Sequence, residues 1–186
     1  SFTNFSLWDT FRALHPLMTI INQSKTNDFV NTFIERYDHS GTMPIFELSG
    51  NDLLVMIGYH SLPVIADAYV KGIRNYDVNK AIKGMKGLAD IPFEERTEYR
   101  TFGYIPEEYT DQAVSRSLEF AFDDWSLAQV AKDHDNEVFS HYSSRANFYK
   151  NLYNKESGFM HPKNATRQWM EDFDPLAYTR KYTQGN

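Results

Sequence analysis

Apolar side chains recur at three- and four-residue intervals along most of this chain, the spacing of a single helix face. Six helical segments follow from that pattern. The first covers residues 7–22, with Leu7, Phe11, Leu14, Met18 and Ile21 in step and Pro16 as an internal flaw that should bend it. The second covers 26–39, where Phe29, Val30, Phe33, Ile34 and Tyr37 make one stripe. After the loop Ser40-Gly41-Thr42-Met43-Pro44, the third is predicted over 51–72 and the fourth over 78–89. A long polar loop, 90–109, carries Pro92, Gly103 and Pro106. The fifth helix is predicted over 111–133 and the sixth over 137–153, and the pattern from 154 to 182 is irregular. No alternating run of strand length is flanked by hairpin signals. The predicted fold class is all-α.

Apolarity is distributed unevenly among these helices. The second, fourth and sixth carry one stripe and are charged elsewhere, as surface helices are. The third is apolar on nearly every face, through Leu53, Leu54, Val55, Met56, Ile57, Tyr59, Leu62, Val64 and Ile65. In the fifth, Val114, Leu118, Ala121, Trp125 and Ala128 form one stripe, while Phe120, Phe122, Leu127 and Val130 occupy other faces. The first leans the same way. Helices apolar all round are enclosed by others. Odd helices inside and even helices outside predict helical hairpins forming part of an (α/α)6 toroid. Six helices are half of such a ring, so the chain is expected to be a fragment of the domain or an open ring. Residues 182–186 read as the lead-in to a seventh helix.

The 186 residues fit one domain. With 41% hydrophobic and 24% charged residues and a mean hydropathy of −0.56, the composition is that of a soluble globular protein. Nineteen basic residues against 25 acidic give a net charge of −6, which argues against a nucleic-acid partner. The absence of Cys removes disulfides, thiolate metal sites and Cys nucleophiles, without deciding the compartment. No apolar run is long enough to span a membrane, and no signal peptide opens the chain at Ser1. Aromatics make up 16%, and in clefts they supply stacking faces for sugars or bases.

In a toroid the inner helices point one way, so their N-terminal ends share a rim. The polar residues there are Trp8-Asp9, then Glu47 with Asn51-Asp52, then the loop before Asp111, then Gln184-Gly185-Asn186. Exposed N–H groups at helix N-termini suit anionic or hydroxyl-rich ligands. Each residue also has a plainer role. Asp9, Asn51 and Asp111 are good N-caps, and Trp8 suits a core. Asp123-Asp124, inside an apolar helix, needs a buried partner such as Arg116 or Arg145. His60 suits a satisfied core histidine, and Glu47, between Phe46 and Leu48, is open to either role. The six His residues show no metal-ligand spacing, and there is no phosphate-binding glycine loop. From the residues alone, a carbohydrate-acting toroid and a non-catalytic helical binding or scaffold module both remain open.

Several blocks, in order along the chain, resemble glycoside hydrolase family 92. They are Ser6-Leu7-Trp8-Asp9-Thr10-Phe11-Arg12, Met43-Pro44-Ile45-Phe46-Glu47-Leu48-Ser49-Gly50-Asn51 and Met56-Ile57-Gly58-Tyr59-His60. Two more are Val114-Ser115-Arg116-Ser117-Leu118-Glu119-Phe120-Ala121-Phe122-Asp123-Asp124-Trp125 and Gly158-Phe159-Met160. The resemblance implies an exo-acting, inverting, calcium-dependent α-mannosidase with an N-terminal β-sandwich and an (α/α)6 catalytic barrel. This chain would be the first half of that barrel, inactive alone, and its partners would be a mannose-containing glycan and the remainder of the same polypeptide. The resemblance further implies a secreted or periplasmic protein. Base aspartates and calcium ligands would lie beyond residue 186, with no metal ligand within this chain. Trp8 and Asp9 match residues that contact the terminal mannose, and Glu47 and Asn51 are the further candidate substrate-binding residues.

The family's general acid is the Glu of a Tyr-Thr-Glu-Gly-Asn motif, which aligns with Tyr182-Thr183-Gln184-Gly185-Asn186. Gln184 departs from it. An amide cannot protonate a departing alkoxide, and general acid catalysis contributes roughly 10²–10⁴-fold. The phosphate that leaves from C1 of a mannose-1-phosphodiester needs no proton, and a neutral Gln would not repel it. Three readings stay open: an enzyme for mannose-1-phosphodiester linkages, an α-1,2-mannosidase acting on N-glycans or mannan whose acid lies elsewhere, and an engineered acid-to-Gln variant.

Overall fold

In the computed structural model, which describes residues 4–48, 51–53, 55–93 and 95–184, the first predicted helix is two. Helix α1 (Leu7–Thr10) ends in a turn through 11–13, and α2 (Leu14–Ile21) begins beyond it. Pro16 has no N–H to give and its ring would clash with the carbonyl four residues back. The chain therefore breaks ahead of the proline, which then sits in the first turn of α2. Helix α3 (Gln23–Ser40) starts where Asn22 accepts the Lys25 N–H at 3.0 Å and stops at Gly41, whose φ of +79° suits a residue without a side chain.

The largest departure from the sequence pattern lies between residues 47 and 60. Instead of opening a third helix, β1 (Glu47–Leu48) pairs antiparallel with β2 (Asn51–Asp52), Glu47 opposite Asp52. The Asp52 carboxylate accepts the Ile45 and Phe46 N–H groups, so its charge is spent closing this hairpin. Met56 and Gly58 follow with φ of +76° and +80°, which no helix accommodates. Helix α4 (Ser61–Val70) is all that remains of the third predicted helix. Leu53, Val55 and Met56, expected inside, are exposed. Ser49, Gly50 and Leu54 of this stretch, and Gly185 and Asn186 of the C-terminal motif, lie outside the described residues.

Beyond it, α5 (Val78–Asp90) is capped by Asp77, and the predicted polar loop contains a further helix, α6 (Arg96–Phe102), closed by Gly103 at φ +77°. Helix α7 (Ala113–Ala131) packs against both α4 and α5. The link through residues 132–135 turns α8 (Asn136–Arg145) back along α7, and Asp135 caps α8 with two N–H bonds. The sixth predicted helix ends at Arg145, and a 3₁₀ turn (Phe148–Leu152) leads to a hairpin of β3 (Tyr153–Asn154) and β4 (Phe159–Met160). Among the described residues beyond 160 there is no helix, as the irregular pattern predicts.

Helices α4 and α7 carry the core, with Leu62, Ile65, Tyr59 and Phe120 fully withdrawn from water beside Phe33, Met85 and Tyr99. Each such side chain contributes about 1.5–3 kcal/mol by leaving water. The all-round burial expected of the fifth helix holds except along one edge. Phe122 and Trp125 are 40% and 50% exposed and line an apolar groove with Phe11, Pro63 and Val70.

Two acids of α7 are wholly buried and both are paired. Asp124 accepts from Arg145 Nε at 2.9 Å, Tyr59 Oη at 2.9 Å and Tyr99 Oη at 3.2 Å. Arg145 is thus the expected partner; Arg116 instead faces Glu95. Asp123 goes elsewhere, to His60.

Candidate active site

The chain before α1 runs beside residues 45–47. Leu7 N–H donates to the Ile45 carbonyl at 3.2 Å and Glu47 N–H to the Phe5 carbonyl at 2.8 Å. This pairing sets α1 at the edge of α7 and puts Trp8 against it. The half-buried indole N–H donates to Glu119 Oε1 over a long 3.4 Å, and the same oxygen accepts from Arg12 at 2.9 Å. Asp9 is exposed and accepts the Ser6 hydroxyl at 2.6 Å. It is the third residue of α1, not its cap, and Ser6 makes no side-chain cap either. Asn51, in a strand, and Asp111, ahead of the α7 cap position Gln112, are not caps either. Asp111 pairs with Arg180 at the surface.

Gln184 reaches the same helix from the far end of the chain. Val114 N–H, one of the orphan donors in the first turn of α7, donates to the Lys181 carbonyl at 3.1 Å. Thr183 N–H donates to Ser115 Oγ at 2.9 Å, and the Tyr182 hydroxyl donates to the Met160 carbonyl. Gln184 follows, exposed, with φ +58°. Ser115 and Glu119 are four residues apart, one above the other on one helix face about 6 Å apart. Trp8 and the segment carrying Gln184 therefore meet one side of α7.

Glu47 and Asn51 stand apart from this pair. They line a separate cleft of about 260 Å³ with Arg36, His39 and Asp52. Glu47 is buried, and its carboxylate lies 3.0 Å from Arg36 Nε and near the Phe5 N–H. Burial raises its pKa, with Arg36 opposing. The side chain clamps α3 to the segment that delivers Trp8. Asn51 is exposed in the same cleft.

Beneath Trp8 lies a chain of charges that the sequence reading did not assemble. His60 is buried, as expected of a core histidine. Its Nδ1 is 2.8 Å from Asp123 Oδ1 and its Nε2 3.2 Å from Glu119 Oε2, the latter an ion-pair contact without hydrogen-bond alignment. Burial would lower the His60 pKa, but the two carboxylates override it and raise it to about 9. Burial would likewise raise Glu119, yet His60 and Arg12 hold it below the usual carboxylate range. The ring of Phe11 stacks on His60 at 4.2 Å. One signal was available in advance: Glu119 and Asp123 sit at i and i+4 in an otherwise apolar helix, so both acids can face one cation.

Helical hairpins around a buried pair of helices, with an aromatic and polar rim at the start of α7, are the architecture of part of a helical toroid. Residues 1–186 match the glycosyl hydrolase family 92 catalytic domain, and the chain belongs to that family. A family GH92 α-mannosidase of Bacteroides thetaiotaomicron superposes with a TM-score of 0.91 at 35% identity, over 98% of this chain and 25% of that one. A family GH92 inverting mannosidase of the same bacterium gives 0.88 at 32% identity, over 97% and 26%. An uncharacterized secreted glycosidase of Arthroderma benhamiae is 25% identical over 165 residues, 73% of this chain and 21% of that protein. The chain spans about a quarter of the length of the solved relatives.

Proposed function

We propose that this chain is part of the catalytic domain of an exo-acting, inverting α-mannosidase whose substrate is a mannose-1-phosphodiester, a phosphate monoester being the leaving group. The observation that carries the reading is the anchoring of residues 181–183 on the first turn of α7, one helical turn from the Glu119 that meets Trp8. In this reading Trp8 forms an apolar wall for the terminal mannose and Asp9 accepts from its hydroxyls. Gln184 faces the departing oxygen. Inversion requires a water activated on the opposite face of the ring, by a base in the remainder of the polypeptide. The neutral amide of Gln184 donates a hydrogen bond to a phosphate oxygen, and the phosphate monoester anion leaves without a proton.

Among the described residues no three His, Asp or Glu side chains converge where they could hold a metal ion. We assign the calcium ion that the family resemblance implies to ligands elsewhere in the polypeptide, and no step above runs through it. No helix among the described residues is long and apolar enough to cross a membrane. The fungal relative is named as secreted, which supports a protein exported to meet mannose-containing glycans.

The test is a two-by-two assay of the full-length polypeptide, unmodified and Gln184→Glu, on a mannose-1-phosphodiester and an α-1,2-linked mannobiose. The unmodified protein should prefer the phosphodiester. Gln184→Glu should raise turnover of the disaccharide by about 10²-fold or more, because protonation matters there, and lower turnover of the phosphodiester, where a carboxylate would oppose an anion. Preference of the unmodified protein for the disaccharide would overturn the reading.

A further inference from the structure

Glu119 is the one carboxylate on α7 shared between the surface and the core. Oε1 serves Arg12 and the Trp8 indole, and Oε2 lies on His60. On the far side of His60, Asp123 is itself fixed, with Oδ2 accepting the Tyr59 N–H at 2.6 Å. The order from core to rim is thus backbone N–H, carboxylate, imidazolium, carboxylate, then indole and guanidinium. Each charge in it faces an opposite one, which lets the group stay ionised while largely out of water. Gly58 makes room for it: at φ +80°, a Cβ there would lie 2.4 Å from His60 Nε2 and 3.0 Å from Asp123 Oδ2. A half-buried Trp ring can exchange between a few rotamers, and a hydrogen bond from its N–H selects among them. Here the tether ends on a carboxylate that cannot swing, because His60 and Arg12 hold both of its oxygens.

We infer that Glu119, locked by His60, is a positioning residue for sugar binding: it sets the angle of the Trp8 indole that walls the mannose. The inference rests on the reading of Trp8 as a sugar-contacting residue but not on the leaving group. It does not ask Glu119 to touch substrate.

The experiment is a double-mutant cycle on the full-length protein, read as the dissociation constant for D-mannose alongside the melting temperature. Trp8→Ala serves as the control for the site. Trp8→Phe keeps an aromatic wall but loses the N–H together with the five-membered half of the indole, and it should weaken mannose binding by up to about tenfold, because an untethered ring must be ordered on binding. Glu119→Ala should weaken binding to a similar degree. The double variant should be no weaker than Trp8→Phe, since Glu119 acts on the ring only through the tether that Phe lacks. Glu119→Gln, which keeps an oxygen for the indole and Arg12, should recover most of the loss. Independent, multiplying effects would overturn the inference, and so would a Trp8→Phe protein that binds mannose normally while Trp8→Ala does not. The latter comparison stands even if Glu119→Ala fails to fold. Normal binding by Trp8→Ala would instead overturn the site itself, and the positioning role with it.

Discussion

Asp124 and Arg145 form a buried pair that ties α7 to α8, with Arg145 Nε 2.9 Å from a carboxylate that is wholly out of water. Arg145 also reaches Asp90 at the end of α5 at 3.0 Å, so one guanidinium joins three helices. Burial raises the Asp124 pKa, and Arg145 and the Tyr59 hydroxyl oppose that rise. Removing the cation leaves a buried acid without its charge partner, which typically costs about 3–5 kcal/mol. Arg145→Met should therefore lower the melting temperature of the full-length protein sharply. Arg145→Met with Asp124→Leu should recover part of the loss, because the stranded carboxyl is then gone. Thermal unfolding of the three proteins checks this.

Gly58→Ala should act on the same region by a different route. The new Cβ meets a His60 ring that is pinned on two sides, and the left-handed φ adds strain of about 1–3 kcal/mol. The expected result is loss of stability together with weaker mannose binding, as the displaced imidazole releases Glu119. Calorimetric melting and mannose titration on one preparation measure both.

His60 has a folded pKa of about 9 against an ordinary value of 6.5. A raised pKa means that the folded state holds the proton more tightly than the unfolded one. Its contribution, a few kcal/mol, is present in full below pH 6.5 and is lost as pH rises through 9. The melting temperature should decline across that window, and the decline should flatten in His60→Gln. An equal slope in the two proteins would contradict the assignment of charge to His60.

Asp9 makes one contact, with the Ser6 hydroxyl, and lies exposed. As a surface residue that caps nothing, Asp9→Ala should change stability by no more than about 0.5 kcal/mol. As an acceptor for sugar hydroxyls, its loss should weaken mannose binding by about tenfold or more. A lowered melting point with unchanged affinity would assign Asp9 to the fold alone.

Periodicity by itself determined the helical class of this protein. The stripes of α3, α5 and α8 and the all-round apolar character of α7 are local patterns, and a helix face needs nothing beyond the sequence to be recognised. The family blocks were legible for the same reason, as were the burial of His60 and the need of Asp123-Asp124 for a buried cation, though not which of Arg116 and Arg145 supplies it. Residues 51–60 were not. An apolar run such as Leu53 to Ile57 satisfies a helix period and a turn-rich passage equally, and the choice fell to contacts distant in sequence. Asp52 spends its carboxylate on Ile45 and Phe46, residues 45–47 pair with the N-terminal segment, and Gly58 must clear His60. The site divided along the same line. Trp8, Asp9 and Gln184 are candidates that their motifs supply; the i, i+4 spacing of Glu119 and Asp123 signals a shared cation, but nothing local marks which of the acidic residues will meet an indole 111 positions away. Only the packing of α1 and residues 181–183 on one face of α7 decided that, since the energy of a buried charge depends on the partners that tertiary structure brings to it.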